Sequence, residues 1–155
     1  MPGYLLDTNH IDAWERQDAK FMARLREVPP DNIIWVCPIS LGEFEWGLRI
    51  TSTTDAPRRA ASRRFIEEQA LNFIRPIEIT TRESYASIME QIWRKYPPAS
   101  GRVDTQRHLS EHGVDVNDVW IAAVALEHGL VLLTSDRIET IKACVPDLNV
   151  GNWLG

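Results

Sequence analysis

Cysteine is scarce in this chain: Cys37 and Cys144 are the two among 155 residues, far apart and each in apolar surroundings. That number is too small for a disulfide framework or a cysteine-based zinc site. Reduced, buried thiols are the expected state. Basic charge is also in deficit, with 17 Lys and Arg against 22 Asp and Glu and a net charge of −5. This argues against a general nucleic-acid-binding surface, which is usually basic. It leaves room for a site that needs carboxylates of its own. No apolar run approaches the ~20 residues that cross a bilayer. The opening Met1-Pro2-Gly3-Tyr4 passes straight into a strand-like run, without the features of a signal peptide. Repeats, low-complexity tracts and composition breaks are lacking, so we expect one cytoplasmic domain over 1–155.

What is present is an alternation of short, continuously apolar runs with amphipathic stretches. Strands are expected over 3–6, 33–37, 76–79 and 130–133, with a last one over 148–150. Helices are expected over 9–16, 18–28, 40–50, 58–73, 82–95, 117–128 and 137–144, with Gly129 as a helix-ending residue. Pro76 marks 76–79 as an edge strand. Residues 51–57 read as a turn and 97–104 as a loop. Apolar strands alternating with helices predict an α/β domain whose parallel strands are covered on both faces.

Four carboxylates stand at element junctions: Asp7 after the first strand, Glu43 in the helix after the second, Asp118 at the opening of the 117–128 helix, and Asp136 just past the following strand. Open α/β sheets bind ligands beyond the carboxyl ends of their strands. All four acids can therefore share one rim. Carboxylates without accompanying His or Cys suit hard cations such as Mg²⁺ and Mn²⁺. Such cations activate water and polarise phosphate oxygens, which suits phosphodiester cleavage. Thr8, Asn9, Ser40, Asn117 and Thr134 are polar neighbours able to orient the acids.

Each acid has a structural alternative. Ser40-Leu41-Gly42-Glu43 has the pattern of a capping box. Asp118 follows Asn117, a potential N-cap, and favours the positive end of a helix dipole. Asp136 suits the N-cap of the 137–144 helix. Asp115 reads as a solvated spare acid. Arg58, Arg59, Arg63 and Arg64 form a basic cluster that either guides a phosphate-bearing substrate toward the acids or is a solvated helix face.

Taken in order, Leu6-Asp7-Thr8-Asn9, Ser40-Leu41-Gly42-Glu43-Phe44 with Gly47, Asn117-Asp118 with Ile121-Ala122-Ala123, and the segment from Gly129 to Asp136 resemble the PIN-domain family, and within it the VapC-type toxins. Asn152-Trp153 near the C-terminus is similar to many members as well. The resemblance implies a three-layer α/β/α sandwich around a parallel, roughly five-stranded sheet. It implies a Mg²⁺- or Mn²⁺-dependent endoribonuclease, usually a homodimer, held inactive by a small antitoxin protein. Asp7, Glu43, Asp118 and Asp136 take the metal-binding roles, with Thr8 and Thr134 in support. The chain departs from the family after the fourth acid: Ser135-Asp136-Arg137-Ile138-Glu139 has no aromatic residue, which makes Glu139 an alternative to Asp136. Two competing classes remain. An aspartyl-phosphate phosphatase normally carries a second Asp where this chain has Asn9. A non-catalytic binding module, or a degenerate PIN domain, would use the acids only as caps.

Overall fold

The computed structural model describes residues 3–51, 56–99, 104–136 and 138–155. Among them the order of elements is β1 (Tyr4–Leu6), α1 (Thr8–Glu15), α2 (Ala19–Glu27), β2 (Ile34–Val36), α3 (Pro38–Thr51), α4 (Ala56–Glu68), a 3₁₀ turn (Ala70–Phe73), α5 (Thr81–Lys95), α6 (Thr105–Glu111), α7 (Val116–His128), β3 (Val131–Leu133), α8 (Glu139–Cys144) and β4 (Val150–Gly151). All strand pairs are parallel, in the order β2-β1-β3-β4.

Strand periodicity divides the core. Leu5 and Leu132 enter the cluster formed with Ile88, Ile92, Leu109 and the apolar face of α7. Leu6, Val36 and Leu133, one residue on, enter the opposite cluster with Ile11, Phe21, Phe44 and Phe65. Successive strand side chains point to opposite faces, so both faces of this sheet are covered. One layer is α1–α4 and the other α5–α8, the three-layer arrangement expected. At the sheet's start a Cβ on Gly3 would lie 2.7 Å from the Ile33 carbonyl oxygen. Glycine there lets β1 approach β2. At the end of α7, Gly129 adopts φ 62°, and the Leu130 N–H reaches back to the Ala125 carbonyl at 2.8 Å. This is the left-handed helix stop that a glycine permits.

Among the described residues the sheet has four strands, one fewer than expected. The run 76–79 forms no strand; the chain touches the sheet edge one turn earlier, through a parallel bridge between Val36 and Ile74 and an Arg75 N–H bond to the Val36 carbonyl of 2.8 Å. Pro76 has no N–H to continue the ladder, and Ile79 is 81% exposed, with no layer to bury it. The helix expected over 58–73 breaks after Glu68 into the 3₁₀ turn. α6 was not expected; Asp104 caps it by accepting the Arg107 N–H at 3.2 Å. The turn over 51–57 and the loop over 97–104 fall partly outside the described residues.

The connections position the site. From β1 the chain crosses to β2 on one side, then returns over the far face to β3 on the other. β1 and β3 are therefore neighbours whose onward connections diverge. That divergence opens a crevice at their carboxyl ends, where α/β sheets bind ligands.

Candidate metal centre

Asp7 lies at this crevice, at the N-terminus of α1, and is buried with 5% of its surface exposed. Its Oδ1 accepts the His10 backbone N–H at 2.8 Å and lies 2.7 Å from His10 Nδ1. Its Oδ2 accepts the Ser135 N–H at 3.1 Å. Asp7 thus caps α1 and ties β1 to the loop after β3.

That loop carries Asp136. Thr134 is buried, and its Oγ1 accepts the Asp136 N–H at 3.0 Å, which turns the chain directly after β3. Asn9 Nδ2 donates to Ser135 Oγ at 2.7 Å and to Asp136 Oδ1 at 3.3 Å. Glu43, on α3, accepts the Thr8 hydroxyl at 3.4 Å through Oε1. Residues 8, 9 and 134 therefore contact or orient acids, as the spacing suggested. Ser40 does not: it is buried with its hydroxyl 3.4 Å from Cys37 Sγ.

The capping alternatives are resolved differently from expectation. α3 starts at Pro38, with the Leu41 N–H bonding to the Cys37 carbonyl. Ser40 is inside the helix rather than at its N-cap, because proline already suits the first helical position. Asn117 is likewise inside α7. Asp115 is the cap, accepting the Asn117 N–H at 2.7 Å. α8 begins at Glu139, with Ile138 rather than Asp136 in the cap position.

Electrostatics bring Asp118 into the group. Burial, followed by repulsion from Asp136, Asp115, Glu43 and Asp7, pushes its carboxyl up to about 7 from an ordinary 3.8. Glu43 is raised by burial, against the Thr8 bond, and then by Asp115, Asp136 and Asp7. Asp136 is raised by burial and then by Asp7. These acids sense one another and Asp7. Glu139, exposed in the first turn of α8, is not among the described groups that shift them.

Buried carboxylates that repel one another form a donor set that a metal ion would complete. Among the described residues, no three His, Cys, Asp or Glu side chains stand close enough to hold an ion together. The acids fit an ion gripped by one or two carboxylates, with water filling its remaining positions, the arrangement Mg²⁺ favours.

The arginines are placed elsewhere. Arg58 pairs with Glu15 at 2.6 Å, and Ser62 donates to the same carboxylate at 3.2 Å. Glu15 ends α1 while Asp7 caps its start, a separation of ~12 Å at 1.5 Å per residue. Arg59, Arg63 and Arg64 lie with Glu67 and Glu68 on the surface of α4. Arg58 therefore ties α4 to α1. The Glu15 side chain is only 3% exposed. Arg58→Ala leaves it short of a partner, at an expected cost of about 1–3 kcal/mol. Thermal denaturation checks this: a double variant with Glu15→Gln should recover part of the loss, whereas a purely solvated Arg58 would show no change.

An α/β domain with acids gathered at the crevice between its two central parallel strands is a defined class of protein. The PIN domain model matches residues 4–140, and the chain belongs to that family. No curated protein sequence matches it. Similar solved structures include DNA-bound VapBC from Salmonella typhimurium, at 19% identity and TM-score 0.70, covering 99% of each chain. FitAcB from Neisseria gonorrhoeae aligns at 22% identity and TM-score 0.68, over 97% of this chain and 98% of that one. VapBC-5 from Mycobacterium tuberculosis, a member of the VapBC family of toxin-antitoxin systems, aligns at 24% identity and TM-score 0.56, over 97% and 98%. At these identities the likeness speaks for the fold. Among the described residues no helix is long and apolar enough to cross a membrane.

Sequence reasoning missed His10, the Ser135 backbone and the capping role of Asp115. The three-residue spacing of Asp7 and His10 was a visible signal, because it places both in the first turn of one helix.

Proposed function

We propose that this chain is a Mg²⁺- or Mn²⁺-dependent endoribonuclease, the toxin of a type II toxin–antitoxin pair. The observation that carries the reading is the set of acids at the β1/β3 crevice, where burial first and neighbouring carboxylates next raise Glu43, Asp118 and Asp136. Asp7 and Asp118 would hold the ion, with Glu43 reaching it through water and Asp136 completing the acidic rim. When bound, the ion supplies a water of lowered pKa and neutralises charge on the phosphate.

The chain's own part is orientation. Thr8 holds the Glu43 carboxylate, Asn9 holds Asp136, and the Ser135 N–H holds Asp7. Water displaces the 3′ oxygen at phosphorus, leaving 5′-phosphate and 3′-hydroxyl ends. No histidine, cysteine or serine nucleophile is required. The VapBC neighbours support a small antitoxin as partner. Trp46, Ile50 and Leu71 are large apolar residues at 64%, 54% and 52% exposure, which supports an antitoxin or homodimer contact. The reading places the protein in the cytoplasm. Arg59, Arg63 and Arg64 remain candidates for RNA contact outside the acidic rim.

The test is cleavage of RNA by purified chain with Mg²⁺ or Mn²⁺, against chelator and against Glu43→Gln. Gln keeps an oxygen for the Thr8 hydroxyl and deletes the charge. We expect activity to fall at least 10-fold, the lower range for residues that support a metal site, with the melting temperature held or raised as repulsion is removed. Full activity with a lowered melting temperature would return Glu43 to a structural role and favour the binding-module alternative.

A further inference from the structure

His10 is completely buried, and its two ring nitrogens have different partners. Nδ1 lies 2.7 Å from Asp7 Oδ1. Nε2 is 3.1 Å from the backbone nitrogen of Trp153, whose N–H points at it. A backbone N–H only donates, so Nε2 must accept. An imidazole that accepts at Nε2 and meets a carboxylate at Nδ1 carries one proton, on Nδ1. The Trp153 N–H thus fixes which ring nitrogen faces Asp7.

We propose that His10 is a positioning residue for the Asp7 carboxylate, and that the C-terminal segment around Trp153 sets it through the ring's Nε2; this rests on the reading of the acids as a metal site. A carboxylate offers about four lone-pair positions. Oδ1 receives two donors, the His10 backbone N–H and His10 Nδ1–H. Oδ2 receives one, from Ser135. The remaining position belongs to Oδ2, the oxygen on the side of the β3 loop that carries Asp136. His10 thus occupies the oxygen turned into the helix and leaves the other for the ion. Groups that orient a ligating side chain in this way govern metal affinity.

The second half of the device is the anchoring of Trp153. Its indole packs against Tyr4 of β1, ring centres 5.0 Å apart, and Phe21 of α2 at 5.4 Å. Phe21 also meets the His10 ring edge-on at 6.3 Å. The C-terminal residues therefore support the imidazole from the face opposite Asp7. The contact spans 143 residues of sequence, so the metal site depends on the last turn of the chain being in place.

Two substitutions separate positioning from packing. In His10→Asn the side-chain amide nitrogen takes the place of Nδ1–H toward Asp7, while the Trp153 N–H loses its acceptor. In His10→Leu both bonds are lost and the volume is roughly kept. Both variants leave Trp153 unpaired, so both should lose stability to a similar degree. Mn²⁺ binding, read from the electron paramagnetic resonance of free Mn²⁺, should part them. We expect His10→Leu to bind Mn²⁺ 10–100-fold more weakly, and His10→Asn to recover most of that loss.

Equal Mn²⁺ affinity in His10→Leu and the parent, or equal weakness in Asn and Leu, overturns the proposal. If His10→Leu does not fold, His10→Gln replaces it. Its amide stands at the Nε2 position, keeps the Trp153 bond and loses that to Asp7, so it must bind Mn²⁺ more weakly than His10→Asn. Asp7→Asn is the control: if it binds Mn²⁺ as the parent does, the metal-site reading itself has failed. If it does not bind and the His10 variants bind normally, only the role of His10 falls.

Discussion

Asp7→Asn should abolish divalent-ion-dependent RNA cleavage and lower the melting temperature by several degrees. The loss of activity follows from removing a ligand charge, and at least the 10–100-fold typical of residues around a metal is expected. The loss of stability follows from the packing of the carboxylate. Both of its oxygens accept N–H groups, Oδ1 from His10 and Oδ2 from Ser135. An asparagine has one acceptor and one donor, so its NH₂ must face an N–H on one side. A buried donor left without an acceptor costs about 1–3 kcal/mol. At about 2–4 °C per kcal/mol for a chain of this size, the shift is easily measured. Relief of repulsion on Asp136, which Asp7 raises, offsets part of it. Near-normal cleavage by a folded, pure Asp7→Asn protein would remove Asp7 from the site.

The second large effect concerns pH. Asp118 is raised from 3.8 to about 7 by burial first and by Asp136, Asp115, Glu43 and Asp7 next. A carboxyl with a raised folded-state pKa keeps its proton where the unfolded chain has released it. Its stabilising contribution is complete below the unfolded value of 3.8 and is lost as pH rises through about 7. Glu43 and Asp136 shift in the same direction. Metal-free protein should therefore lose melting temperature across that interval. Mg²⁺ or Mn²⁺ binds the deprotonated acids, so the stabilisation it adds should grow over the same interval. Asp118→Asn should flatten the metal-free slope, abolish the ion's effect and remove cleavage. Thermal scans at several pH values, with ion and with chelator, read all three. A slope unchanged in Asp118→Asn would assign the pH dependence to other groups.

The acids were legible because they sit where short-range patterns end. Asp7 follows the apolar run Tyr4-Leu5-Leu6. Asp118 falls in the first turn of a nearly all-apolar helix, and Asp136 comes three residues after β3. Strand and helix periods are local, so alternation alone predicted a parallel sheet covered on both faces. The caps were less legible. Asp115 and Asn117 are both good N-cap residues two positions apart, and packing of Val119 and Ile121 into the core decides where α7 starts. Ser40 and Glu43 match a capping box by spacing, yet Pro38 starts α3 two residues before Ser40. The run 76–79 shows the limit from the other side: its apolar residues alternate as a strand's do, but no neighbouring strand is there to pair with them.

By itself the sequence determined the fold class, the junctions that carry Asp7, Glu43, Asp118 and Asp136, and the presence of Thr8, Asn9 and Thr134 as polar residues beside Asp7 and Asp136. Only the tertiary structure decided which distant groups meet. It joined Arg58 to Glu15 across 43 residues and the Ser135 N–H to Asp7 across 128. It set the Trp153 N–H against His10, and it buried Asp118 near Asp136, Asp115, Glu43 and Asp7, which raises its proton affinity. The physical reason is range. Periodicity and capping act within one or two turns of chain, whereas the protonation of a carboxylate and the tautomer of a buried imidazole depend on whatever the fold packs beside them.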